Sequence, residues 1–598
     1  MSAAGASGRP KLEGMSADWG AVREQARHLI ITSLDAVVAA EGSGIRLVLD
    51  TALTGPMGLV AEVSEFCAHG VEKIFHLESG PPPPGTGHLV YFIRAELSSA
   101  RAVAVQLAAS SADATCSVRL GQPSAQRATL YFVPRRSLLC EKLLEEAGVY
   151  GRVAVRECQL HLFPLDNDIL SLERPCFRAL YLDGDHSALY SVAASILQLE
   201  QLYDPIPAIR GKGACAQQVA RLVKQMRQLD SARARPPTRR DAPDGARRCR
   251  RIGRMLLLDR VCDMVTPLLT ELTYEGLVHS VFGIRHGHVD LDPSVLGLSS
   301  TRLVKRELNS SDALYAQIRN RNFGDLGPLL RKLSHDVSEG YEERHTAHTV
   351  YQIRDFMRKL SKLQSTHKSL SMHVHLAQRI QLYTSAADFH ARISAEQEAL
   401  ANAGATFDGE AALEDAIGRG APLSSVLRLA CLFSVLGNGF KEKKLAALHS
   451  ELVAQYGYAA VALTLSALHK VGLLRRADAR SSWPALRKAL DLVADDVHEV
   501  QGFEQPTDMS YFYSGYCPLS TRIIGWMIAP THWSTREEAL RPLPGPLFWA
   551  DEPPARDADA IGTRGGLASR VCERDVDAGA SGDAELTLVY FIGGCTFA

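Results

Sequence analysis

The sequence predicts an α/β plus α protein, in which parallel-sheet α/β units flank a large helical block. Three observations carry this reading. Short β-branched or aromatic runs alternate with helix-like segments through the first third of the chain, the strand signal nearly vanishes between Thr301 and Val500, and a strong strand, Leu586–Ile592 (LTLVYFI), returns at the far end. A strand so far from its fellows implies a discontinuous domain with the helical block inserted into it. The 598 residues are enough for several cores. An apolar share of 46% and a charged share of 22% exclude a largely disordered chain, a collagen and a disulfide mini-scaffold. Lys plus Arg number 66 against 67 Asp plus Glu, a net charge of −1, and that balance argues against nucleic acid as the main partner.

Taken in order, residues 47–50, 73–77, 89–93, 130–133 and 161–165 read as strands, with helix-like segments between several of them. Residues 187–202 read as a helix because Leu189, Val192, Ile196 and Leu199 recur at three and four residue spacing. Residues 255–258 form another buried strand. Between these two, residues 231–251 hold eight Arg, two Asp, Pro236 and Pro237, and read as a solvated loop. Residues 551–585, acidic and rich in Ala, Gly and Asp, read the same way. In residues 341–363, Val350, Ile353, Met357, Leu360 and Leu363 make one apolar stripe, and a second helical segment covers about 370–400. Two long consecutive helices with a polar tip at 361–369 predict a projecting hairpin whose outer face carries Arg344, Arg354, Arg358, Lys359, Lys362 and Lys368. No stretch reaches the ~20 apolar residues of a membrane span, and the N-terminus has no apolar segment of secretory type, so the expected compartment is the cytoplasm. The 12 cysteines include no CxxC, so neither a zinc ribbon nor a thioredoxin-type site is supported.

Catalytic signatures are missing: the chain has no GxxxxGK[ST], GxSxG or HExxH, and no GxGxxG after its first strand. Gly211-Lys212-Gly213 lacks the upstream glycine and the following Ser or Thr of a phosphate loop, and reads as a helix N-terminal turn. The pairs His286/His288, His345/His348 and His373/His375 have no partner at recognised ligand spacing and read as packing or surface residues. Asp183 and Asp185 read as turn formers. No catalytic, cofactor-binding or metal residue is therefore assigned, and a binding or assembly platform is expected rather than an enzyme. The alternative is an α/β enzyme using a nucleotide or sugar nucleotide at its strand ends.

Several blocks then point to one family. Residues 255–284 (MLLLDRVCDMVTPLLTELTYEGLVHSVFGI) resemble the signature of SM (Sec/Munc-like) proteins, the cytosolic partners of SNARE fusion proteins. Residues 131–151 (YFVPRRSLLCEKLLEEAGVYG), the TGPMGL and GVEKIF motifs within 53–75, residues 205–220 (PIPAIRGKGACAQQVA), 426–458 and 506–519 (PTDMSYFYSGYCPL), and the closing LTLVYFIGGCTFA are similar to the vacuolar class C branch. The resemblance implies an arch-shaped fold: an N-terminal extension at 1–40, domain 1 at 41–154, domain 2 at 155–260 and 506–598, and a helical domain 3 at 261–505 with its hairpin near 341–385. Against the family pattern the chain stops at Ala598 before a helix and at least one further strand, and domain 2 is expected to be C-terminally truncated here.

The resemblance also implies a function and partners: templating of Qa- and R-SNARE assembly, as a subunit of the HOPS and CORVET tethering complexes, held peripherally on late endosome and vacuole or lysosome membranes through a class C propeller/solenoid subunit. SNARE motifs are disordered alone, and a template that holds two of them side by side lowers the entropic barrier to pairing. On this pattern the hairpin's Arg354, Arg358, Lys359, Lys362 and Lys368 are expected to meet acidic SNARE positions. Phe440, Leu448, Leu452 and Tyr456 are expected to form the class C partner interface, unless they belong to an internal helix.

Overall fold

The computed structural model describes residues 19–42, 44–85, 87–114, 128–233, 252–296, 302–346, 350–403, 409–477, 481–494, 508–528, 533–551 and 586–595. The Arg-rich segment beyond Arg233 and the acidic segment at 552–585 lie outside them, as does His348.

Five parallel strands, β1 (Ile45–Leu49), β2 (Val71–His76), β3 (His88–Arg94), β4 (Ala128–Val133) and β5 (Val153–Glu157), form the first sheet in the order β2-β1-β3-β4-β5. β1, β3 and β4 are almost wholly buried because helices cover both faces, which is why they read as continuous apolar runs. Helix α1 (Gly20–Glu41) lays Ala26, Ile30, Leu34 and Val37 on one face, while α2 (Thr51–Gly58) and α3 (Val63–Ala68) complete that layer. α4 (Leu97–Ala114) and α5 (Leu138–Glu146) cover the other. The strand expected at 161–165 is not in this sheet: it belongs to a small antiparallel hairpin, β6 (Phe163–Asp166) with β7 (Ile169–Ser171).

After α6 (Ser187–Tyr203) come β8 (Ala208–Lys212), α7 (Ala214–Arg233) and β9 (Ile252–Asp259). With β12 (Leu547–Asp551) and β13 (Leu586–Ile592) they build a second sheet in the order β12-β8-β9-β13, so strands some 300 residues apart in sequence share one sheet. β9 shows why. Its Met255 and Leu257 face α6 and α7, whereas Leu256 and Leu258 face the helical block, the alternation a strand imposes; Ile252 joins the first group across an irregularity in the pairing before Arg254. Each face is buried only when both chain segments are present.

The intervening block begins with α8 (Tyr274–Phe282), the antiparallel pair β10 (His288–Leu291) and β11 (Val304–Glu307), and α9 (Ala313–Ile318). Then α10 (Leu326–Thr346) and α11 (Val350–Thr384) pack against each other as a helical hairpin. α11 runs unbroken through residues 361–369, where the sequence reading placed the tip. That segment has no Gly or Pro, and a polar run alone does not stop a helix; α10 ends at Thr346 and α11 begins at Val350 instead. α12 (Ala387–Asn402), α13 (Gly409–Gly418), α14 (Leu423–Gly437), α15 (Glu442–Tyr456), α16 (Tyr458–Val471) and α17 (Trp483–Ala489) form one core with the inner face of the second sheet. No described helix is long and apolar enough to cross a membrane.

Candidate interaction surfaces

A doubly wound sheet of order 2-1-3-4-5 offers a ligand crevice between the carboxyl ends of β1 and β3. Here that crevice is filled by the chain itself. Asp50 Oδ1 accepts from Ala52 N at 3.1 Å, and its Oδ2 accepts from Arg94 N at 3.1 Å and Ser99 Oγ at 2.7 Å. The Arg94 guanidinium, brought down to about 10 chiefly by burial, donates to the carbonyls of Leu172 and Glu173 at 3.2 and 3.1 Å.

The second sheet repeats the pattern at Gly211-Lys212-Gly213. A phosphate at the start of α7 would sit where the buried Asp259 carboxylate already accepts from Cys215 N at 2.9 Å and Ala216 N at 2.7 Å. Gly213 has φ +121°, and a Cβ there would lie 2.2 Å from Asp259 Cγ, so only glycine allows this approach. Burial pushes the Asp259 carboxyl up to about 6 in spite of the N–H donors. Lys212 is buried too, and its Nζ donates to the carbonyls of Leu543, at 3.1 Å, and Gly545.

The other polar candidates are structural. His286 pairs with Glu173, and His288 Nδ1 lies 2.7 Å from the His286 carbonyl. Buried His373 joins Tyr274 Oη, 2.8 Å from its Nδ1, to Asp312, 3.3 Å from its Nε2; Ser369 Oγ donates to the same carboxylate. Burial opposes ionisation of Asp312, but the bonds from His373 and Ser369 hold it at about 2. This network fixes the base of the α10–α11 hairpin to α9 and α8. Asp183 pairs with Arg178, and Asp185 accepts from Ser187 N, as turn formers do.

Of the expected hairpin cations, Lys362 and Lys368 are exposed on α11. Arg354, Arg358 and Lys359 lie on the same helix, with side chains outside the described set; Arg344 lies on α10, likewise. The expected partner interface needs correction. Leu448 and Leu452, 6% and 0% exposed, belong to the helical core, where they pack with Val461 and Leu465 of the next helix. Phe440 and Tyr456 are half-buried, Phe440 through a backbone bridge to residues 475–477 and Tyr456 through a hydrogen bond to the Ala421 carbonyl. On α16 the exposed large apolar side chains are Tyr458, at 73%, and Leu463, at 83%. Sequence reasoning missed them, although residues 458–468 (YAAVALTLSAL) carry no charge, more than a buried stripe requires.

With the strand-end crevices closed by their own side chains, the long helical hairpin and the exposed apolar side chains of α16 are left as the candidate interaction surfaces. The chain belongs to the Sec1 family, whose model matches residues 46–598, and whose members regulate SNARE-mediated membrane fusion. It is 36% identical over 593 residues to vacuolar protein sorting-associated protein 33A of Rattus norvegicus, covering 96% of this chain and 91% of the relative. It is 32% identical over 592 residues to the vacuolar protein-sorting-associated protein 33 homolog of Arabidopsis thaliana, covering 98% and 93%. The SM fold is shared with the SM protein Vps45 solved with the Qa SNARE Tlg2 (TM-score 0.52, 19% identity, 89% of this chain and 88% of that one). It is shared equally with Unc18 in the Unc18–syntaxin 1 complex of Monosiga brevicollis (TM-score 0.52, 16% identity, 86% of each).

Proposed function

We propose that this chain templates SNARE assembly in vacuolar protein sorting as the SM subunit of the HOPS and CORVET tethering complexes, peripheral on late endosome and vacuole or lysosome membranes, and that it acts without turnover. The observation that carries the reading is α11. Its 35 residues make a helix about 52 Å long, clamped at its base by the Tyr274–His373–Asp312–Ser369 network and paired with α10 along its outer part. A rigid helix of that length can align a SNARE motif over several heptads and remove ordering entropy before the full bundle forms. Its exposed Lys362 and Lys368, with Arg354, Arg358 and Lys359 on the same helix, supply positive charge for acidic SNARE positions.

The class C solenoid subunit is assigned to α16, with Leu463 on its outward face and Tyr458 exposed at its first turn, because the leucines first expected to serve are interior. The test is a binding assay of the purified chain with separated vacuolar Qa- and R-SNARE motifs and with the class C subunit. All three are expected to bind; Tyr458→Asp with Leu463→Asp is expected to abolish class C capture while the protein stays soluble and keeps SNARE binding. A folded sample that binds none of the three would overturn the proposal, and a nucleotide that raises its melting temperature would favour the enzyme alternative.

A further inference from the structure

The two crossing helices α15 and α16 bring together a pair of histidines that the proposed function does not use. His449 lies on α15 and His469 in the last turn of α16, both half-buried, with Nε2 atoms 3.1 Å apart and ring planes crossing at 78°. The layer beneath them is apolar, made by Leu448, Leu452, Val461 and Leu465, so the pair sits at the edge of a packed seam, with one side toward solvent.

Two neutral imidazoles at this distance can be related in two ways. A head-on N–H···N hydrogen bond of the same length, with both lone-pair axes collinear, places the ring centroids about 5.4 Å apart. Two imidazoles that aim at a common ion from about 2.05 Å, at an angle of about 100°, have nitrogens about 3.1 Å and centroids about 4.9 Å apart. The observed nitrogen separation of 3.1 Å is that of a hydrogen bond between the rings, and the centroid separation of 5.0 Å, below the head-on value, shows the two nitrogens angled toward a common point, so that both can face one ion.

We propose that His449 and His469 form a bidentate site for a zinc-class divalent cation that staples α15 to α16. Imidazole pairs suit zinc, nickel and copper ions. Among the described residues no third His, Cys, Asp or Glu ligand joins the pair, since the one cluster of three such groups, His335, Asp336 and Glu339, lies elsewhere and is exposed. The remaining coordination positions therefore go to water or to a donor from a bound protein, and the site is independent of which partner α16 takes.

The experiment uses the full chain, freed of metal by chelator and titrated with zinc chloride by calorimetry and with cobalt chloride by visible absorption. One equivalent is expected to bind the wild type with a dissociation constant of micromolar order, with a rise in melting temperature and a cobalt band of histidine ligation. His449→Gln and His469→Gln, each verified as folded by circular dichroism, are expected to weaken zinc at least tenfold and remove the cobalt band, while His335→Gln leaves both unchanged. Absence of zinc binding by the wild type at millimolar metal would overturn the site. So would undiminished binding in both Gln variants, or loss confined to His335→Gln. Should a Gln variant not fold, diethyl pyrocarbonate mapping of the wild type decides: zinc must protect His449 and His469, and equal modification with and without metal refutes the site.

Discussion

The Asp259 carboxylate shows most plainly how a single side chain turns a nucleotide-type frame into a closed one. It satisfies the first N–H groups of α7, a place that a phosphate occupies in enzymes of related architecture, and it is buried while doing so. Its folded-state value of about 6 is raised above the unfolded one, mainly by burial. The folded state therefore holds the proton more tightly than the unfolded chain. The contribution of this group to stability is fully present below the unfolded value near 4 and is lost as pH rises through about 6. Replacing Asp259 by Asn is expected to flatten the slope of stability against pH between about 4 and 6, read by denaturant melts across that window. Asp259→Ala leaves two buried N–H donors unpaired and is expected to cost about 2–4 kcal/mol. A melt at pH 7 that shifts by less than the error would show that water replaces the carboxylate.

At the scale of elements, the hairpin separates what holds α11 in place from what it presents. Asp312 caps α9 through Leu314 N at 2.9 Å and also accepts from the Ser369 hydroxyl of α11. Asp312→Ala is expected to lower stability by roughly 2–4 kcal/mol, from a lost cap and an unsatisfied buried His373–Tyr274 pair, and to speed hydrogen exchange in residues 369–380. Lys362→Glu with Lys368→Glu is expected to leave the melting temperature within a degree or two and to weaken an R-SNARE motif about tenfold at low salt, with a smaller loss at high salt. Equal salt dependence in wild type and variant would remove these lysines from the contact. The same elements show what was legible beforehand. The interior strands β1, β3, β4 and β9 are continuous apolar runs and were read within a few residues, but β5 and β12 were not: both are short edge strands with charged residues, VAVRE and LFWAD, and only a neighbouring strand makes them strands. Periodicity showed that Leu448 and Leu452 share a helix face, but not whether that face looks inward; the packing of α16 over them decides it.

Across the whole molecule, the proposed template for two helices requires its arms to keep a fixed relation, and a small polar clamp joins the β6–β7 hairpin to the helical block. The β6–β7 hairpin follows the first sheet and is gripped by the helical block: Arg319, the C-cap of α9, donates to Asp166 at 2.6 Å and also to Asp168, while Ser310 N and Oγ donate to Asp166 at 3.0 and 2.8 Å. Beside it, His286 pairs with Glu173, and its ring lies so close to α2 that a Cβ on Gly55 would come within 2.1 Å of it. Arg319 and Asp166 are both buried, so removing one partner strands the other's charge, a loss of about 3–5 kcal/mol. Arg319→Ala is therefore expected to lower the melting temperature and, because the hairpin packs on the first sheet, to broaden the scattering profile as the first sheet swings against the helical block. Binding of an isolated R-SNARE motif, which the proposed reading assigns to α10 and α11, is expected to be nearly unchanged, whereas simultaneous binding of Qa and R motifs is expected to fall about tenfold. Arg319→Lys keeps the charge but not the fork that spans Asp166 and Asp168, and is expected to recover part of the stability without the two-motif binding. If the two-motif affinity of Arg319→Ala matched the wild type, the relation between the arms would be set by the apolar core and not by this clamp.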